Sequence, residues 1–151
     1  MVTNILVGTL MMLLTTGVHT AFTVGTVFLL SRWIHGRQGT HSYKPVALIS
    51  GTILMFFIAA LIEVGMWATA YLTLGAIRGI ESSLYYSMVT FTTLGLGDIT
   101  LSDRWRLLSS FEAANGIIMF GWTTAVVMAV VQRTFANALK RIRRKRQTSR
   151  E

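Results

Sequence analysis

Apolar positions fill three long stretches of the chain, and charges gather in the segments between and after them. From Met1 to Ser31 there is no Asp, Glu, Lys or Arg. A bilayer core takes about 20 apolar residues in a helix, so Ile5–Trp33 predicts a first spanning helix. The run lacks a basic start and reaches Arg32 without a small-residue cleavage site, which argues against a signal peptide. A second apolar run goes from Val46 to about Ile77, with Glu63 as its only charge and Pro45 at its start, where a helix tolerates proline. A third goes from about Leu107 to Val131, interrupted near its start by Glu112 and Asn115.

Between the second and third runs the pattern changes. "SSLYYSMVTF" is too apolar for a solvated loop and predicts a short helix, capped by Ser82 or Glu81. It leads into T-T-L-G-L-G-D, Thr92 to Asp98. Non-helical backbone at membrane depth is tolerated only inside protein or beside a water-filled path. A short apolar helix followed by two glycines and an acid therefore predicts a re-entrant loop. The fold class is all-α and membrane-embedded, with three transmembrane helices plus one re-entrant helix and its loop.

Composition agrees. The 151 residues are 52% hydrophobic and 13% charged, with mean hydropathy +0.56, whereas soluble domains carry about 25% charged residues. The absence of cysteine removes disulfide and thiol chemistry. No metal cluster, nucleophile triad or phosphate loop stands out, so the expectation is a protein that is not an enzyme and takes no organic cofactor. The net charge of +8 is concentrated at the ends of apolar runs, which indicates topology rather than a nucleic-acid partner. Arg32, Arg37 and Lys44 lie in the first connection, and eight more basic residues lie between Arg133 and Arg150. The outer segment balances Arg78, Arg104 and Arg106 against Glu81, Asp98 and Asp103. This pattern predicts a cytoplasmic first connection and C-terminus, and an N-terminus outside.

A helix, a short re-entrant helix, T-T-x-G-x-G-D and a second helix together resemble the pore module of tetrameric potassium channels, whose filter the handful of residues T-V-G-Y-G exemplifies. The resemblance continues in "WRLL" with Arg106, and in "GIIMFGWTTAVVMAVV", Gly116 to Val131, where both glycines fall at matching spacing. It spans about Val46 to Val131 and leaves the first helix outside. After the N-terminal helix at 1–34, which hydropathy alone predicts, it implies a pore module at 45–135: outer helix 45–77, pore helix 82–92, filter 93–97 and inner helix 104–135. A basic cytoplasmic tail, 136–151, follows.

The resemblance also implies the site. Backbone carbonyls of Thr93, Leu94, Gly95 and Leu96 and the Thr93 hydroxyl would replace the water around potassium ions. Gly95 and Gly97 would supply the backbone hand this requires. One loop cannot surround an ion, so a homotetramer in membrane lipid is implied. Asp98 would accept a hydrogen bond from Tyr85, or stand as a rim charge. Leu96 replaces the usual filter tyrosine, and Tyr86 stands where its aromatic partner belongs. Val89 stands where some relatives carry an acid, so Glu63 would brace the pore helix in its place, through Tyr86, or serve as a neutral, protonated anchor between helices. His19 reads as a satisfied interhelical donor. Ile117, Phe120, Thr124 and Met128 share one helical face, which would line the pore or pack against lipid. Gly116 and Gly121 would be gating hinges, Gly116 foremost. Trp67 and Tyr71 suit the outer interfacial belt and Trp33 the inner one. The tail would anchor topology or hold anionic lipid. Three functions remain open: a potassium channel, a weakly selective monovalent cation channel, and a non-conducting membrane adaptor.

Overall fold

The computed structural model describes residues 1–36 and 44–148, with side chains over 1–32 and 46–136. The Trp33 side chain, the connection at 37–43 and the side chains of the tail from residue 137 onward lie outside what is described. The chain forms four helices: α1 (Val2–Gly36), α2 (Lys44–Thr73), α3 (Ile80–Phe91) and α4 (Arg106–Thr148). No strand occurs among the described residues. Val2–Arg32, Val46–Thr73 and Arg106–Ala136 are each long and apolar enough to cross a bilayer. The protein is thus an all-α, multi-pass membrane protein, as its hydropathy pattern predicts.

Helix ends depart from the expected boundaries for local reasons. The outer helix stops at Thr73 rather than residue 77. Gly75 takes φ 64°, and its amide donates to Leu72 O (3.1 Å) while the Ala76 amide donates to Tyr71 O (2.9 Å). This pair of reversed bonds satisfies the last carbonyls and ends the helix. The pore helix starts at Ile80, with Gly79 as its N-cap and no side-chain cap. Ser82 and Glu81 are not caps; Glu81 lies in the first turn, where its charge favours the helix dipole. The inner helix continues past residue 135 to Thr148, because Ala, Leu, Lys, Arg and Gln all favour helix and no Gly or Pro interrupts them.

The buried stripe of α1 is largely polar: Asn4, Thr15, His19 and Thr26, together with Met11 and Leu30. Its apolar side chains, among them Leu6, Leu10, Leu13 and Phe28, face outward. In lipid an apolar face gains nothing by leaving its surroundings, so helices associate through close packing and polar contacts. The Asn4 amide donates to Arg104 O (2.8 Å), and Asn115 Nδ2 donates to Thr15 Oγ1 (2.8 Å). Both bonds fasten α1 to the segment that carries α4. On α2, the positions 56, 59, 63, 64, 67, 68 and 71 are buried, a helical phase that turns Trp67 and Tyr71 inward. Neither residue belongs to an outer belt; both join a core with Met11, Tyr86, Phe91, Trp105 and Leu108.

Candidate functional site

The loop after α3 has an unusual backbone. Thr92 closes the helix in right-handed geometry (φ −78°, ψ 0°). Thr93, Gly95 and Gly97 then take φ of 60°, 56° and 79°, whereas Leu94 and Leu96 do not have positive φ. Hand therefore alternates residue by residue. Alternation of this kind turns successive peptide units so that their carbonyls can face one side, the geometry an ion-coordinating strand requires. Glycine meets it at little cost; Thr93 does so with a side chain, a strain of about 1–2 kcal/mol. Strain of this size persists where the surroundings enforce it. Here Thr93 N–H donates to Thr90 O (2.9 Å), and the Leu94 and Gly95 amides both donate to Val89 O (2.9 and 3.3 Å). The last carbonyls of α3 thereby hold the loop against the helix end.

On the open side of α3, Tyr85 Oη donates to Asp98 Oδ2 (2.7 Å). This bond holds the Asp98 carboxyl below the usual carboxylate range and raises the Tyr85 phenol. It fixes the far end of the loop to α3, the pairing that the family resemblance implies. Leu94 and Leu96 are 62% and 59% exposed in the single chain. A cleft of about 670 Å³ opens between the loop, α3 and the beginning of α4, lined by Tyr85, Tyr86, Val89, Thr93, Gly95, Asp98 and Arg106 among others.

Behind α3 the structure departs from expectation. Glu63 makes no hydrogen bond to α3. It is fully buried with its Oε1 2.8 Å from His19 Nδ1, and His19 Nε2 lies 3.2 Å from Thr123 Oγ1. The helical phase of α2 turns Glu63 toward α1, so this pair joins α1, α2 and α4. Tyr86 is buried edge-on to Tyr71, with centroids 5.2 Å apart. The acid that reaches the pore helix is Glu112, from α4. It is fully buried, bonds Ser87 through Oε1, and accepts from Tyr71 Oη through Oε2 (2.7 Å). Ser87 Oγ also lies 2.9 Å from Val64 O. Sequence reasoning marked Glu112 only as an interruption of an apolar run. Its depth in a span is the signal that could have singled it out.

Of the residues assigned to α4, Ile117, Phe120, Thr124 and Met128 all lie on exposed positions of one face. The Phe120 ring meets Phe91 edge-on (5.7 Å). Gly116 has a packing reason apart from any hinge: a Cβ there would overlap the Phe91 carbonyl. Gly121 has open space around it.

These features coincide with a family. Residues 47–133, more than half of the chain, match the profile of an ion-channel family. The chain belongs to that family, whose members are of the two-helix, potassium-channel type. No curated protein and no solved structure gives a significant match. The family match begins at residue 47, so α1 lies outside it.

Proposed function

We propose that the protein is a potassium-selective channel in which four copies bring their Thr93–Gly97 loops around one axis. The observation that carries this reading is the alternation of backbone hand at Thr93, Gly95 and Gly97, held by the carbonyl end of α3. Carbonyls of Thr93, Leu94, Gly95 and Leu96 would stand in for the hydration oxygens of a potassium ion, with the Thr93 hydroxyl as the innermost ligand. Transport is passive, and no bond is made or broken. Exposure of Leu94 and Leu96, and the cleft behind the loop, support assembly: these surfaces suit contact with a neighbouring copy better than contact with water. In the assembly, the face with Ile117, Phe120, Thr124 and Met128 would line the cavity below the filter. The charge pattern supports an N-terminus outside and a C-terminus in the cytoplasm, with the tail available to anionic lipid.

The test is electrical recording from purified protein in planar bilayers, with its copy number determined by native mass spectrometry. Discrete cation currents from a four-chain particle are expected. A verified tetramer that passes no current in any orientation would contradict conduction and favour the adaptor reading.

A further inference from the structure

The hydrogen bonds around Glu112 can be counted, and the count fixes a proton. Ser87 has a single hydroxyl proton but two oxygens within reach, Val64 O and Glu112 Oε1. The Val64 carbonyl can only accept. Tyr71 supplies its one proton to Glu112 Oε2. With an ionised Glu112, Ser87 would have two acceptors for one proton, and one pair of oxygens would face each other with no hydrogen between them. With a protonated Glu112 every link closes: Glu112 Oε1–H donates to Ser87, Ser87 to Val64, and Tyr71 to Glu112. Charge points the same way. Glu112 is fully buried, and among the described residues no cationic group forms an ion pair with it. An unpaired buried carboxylate is costly, and neutralisation removes that cost.

We propose that Glu112 is a neutral carboxylic acid in the resting protein, and that its own proton makes it the positioning residue that locks the pore helix and its loop in place. The chain of contacts is short. Ser87 precedes Val89 by two residues on α3, and Val89 O receives the Leu94 and Gly95 amides. Movement of α3 at Ser87 therefore displaces the carbonyl that holds Gly95. Other titratable groups near this cluster are few. Tyr71 faces Glu112 from α2, and Tyr86 on α3 packs edge-on to Tyr71. On α1 the ionisable side chains between residues 2 and 32 are His19 and Arg32, and His19 is engaged with Glu63. On α4, Arg106 pairs with Asp103 at the surface. Removal of the Glu112 proton would leave Ser87 with two acceptors and free α3 to shift. The role in positioning the loop rests on the channel reading above; the protonation state does not.

Infrared difference spectroscopy separates the two parts. Wild type minus Glu112→Gln, in detergent at neutral pH, is expected to show the carbonyl stretch of a protonated carboxyl group. Ser87→Ala is expected to shift that band, since it removes the acceptor. No such band, or a carboxylate band in its place, would overturn the proton assignment, and an unshifted band in Ser87→Ala would overturn the Glu112–Ser87 link. For the positioning role, flux is followed as external pH rises from neutral to strongly alkaline. Wild type should lose flux, and Glu112→Gln, which keeps a donor and an acceptor without a titrating proton, should retain it. Equal loss in both would overturn the positioning role. Absence of flux from wild type at every pH, with the infrared band present, would count against the channel reading alone.

Discussion

On its buried face α3 presents Ser83, Tyr86 and Ser87 to the rest of its own chain, whereas on its open face Leu84, Tyr85 and Met88 stand exposed. The buried face is complete within one subunit: Ser87, Glu112, Tyr71 and Val64 O satisfy one another, and Phe91 lies against Gly116. The open face and the loop beyond it are incomplete. Leu94 and Leu96 project without cover, and a strained Thr93 is held from one side only. The contrast teaches a division of labour. On the channel reading proposed above, one chain builds the frame that aims α3, and assembly would build the surface that selects the ion. Substitutions on the two faces should therefore fail in different ways.

The largest effect is expected at Gly95 on the open side. Gly95→Ala places a Cβ where φ is 56°, a cost of about 1–2 kcal/mol per copy, repeated around one axis. Conduction should be lost while the chain still inserts and assembles, as flux assays on tetrameric mutant protein can check. Wild-type currents from this variant would remove the reason for the glycine and with it the carbonyl reading. Gly116→Ala should fail on the frame instead. Its Cβ would overlap the Phe91 carbonyl, and overpacking of this kind costs about 1–3 kcal/mol, sometimes more. A lowered thermal midpoint in detergent is expected. If stability is unchanged and only open probability moves, the hinge role of Gly116 is the stronger description.

Much of this division was legible in the sequence, and the rest was hidden for a physical reason. Length and hydropathy locate three spans, and the glycines of T-T-L-G-L-G-D locate the loop. The family resemblance pairs Tyr85 with Asp98. What the sequence hid was which helix faces meet. In a soluble protein the apolar stripe of a helix marks its inward face. Here α1 is apolar on the outside, and its inward stripe holds Asn4, Thr15, His19 and Thr26, so hydrophobic periodicity carries no such mark. Depth in the span and the missing acid at Val89 point Glu63 to the pore helix, whereas its partner is His19, 44 positions away on α1. Asn115 and Thr15 meet across 100 residues, with no local pattern to join them. The end of α2 was missed because Gly75 stops the helix inside a run that stays apolar to Ile77.

A smaller effect is expected where the two faces touch. Leu96 stands where related filters use tyrosine, and Tyr86 is already packed against Tyr71. A hydrogen bond behind the filter would contribute about 0.5–1.5 kcal/mol, and about 1.4 kcal/mol corresponds to tenfold discrimination. Leu96→Tyr with Tyr86→Trp should raise potassium preference by up to about that factor. Leu96→Tyr alone should not, because its hydroxyl would lack a partner. No change in reversal potential for the double variant would mean that packing suffices.

The smallest effect is expected at Tyr85, whose bond to Asp98 is exposed. Tyr85→Phe should raise the Asp98 titration midpoint toward the ordinary carboxylate value, as NMR can follow. The sign follows from the lowered pKa of Asp98 in the folded protein. Support from this bond is fully present above the ordinary carboxylate value of about 4, and it is lost as pH falls through the lowered value. At the alkaline end, the raised Tyr85 phenol keeps its proton beyond the usual value of about 10. Wild type and Tyr85→Phe should therefore differ across the neutral range and converge in strong acid. A difference that grows in acid would contradict the assignment.

The central claim is that four T-L-G-L-G loops select potassium, and bi-ionic reversal potential tests it most directly. Purified protein in a planar bilayer would face potassium on one side and sodium on the other. The account predicts a clear shift toward the potassium equilibrium potential, smaller than that of a T-V-G-Y-G filter and lost with Gly95→Ala. A reversal potential near zero in wild type, with robust current, would contradict potassium selectivity and leave a weakly selective cation pore.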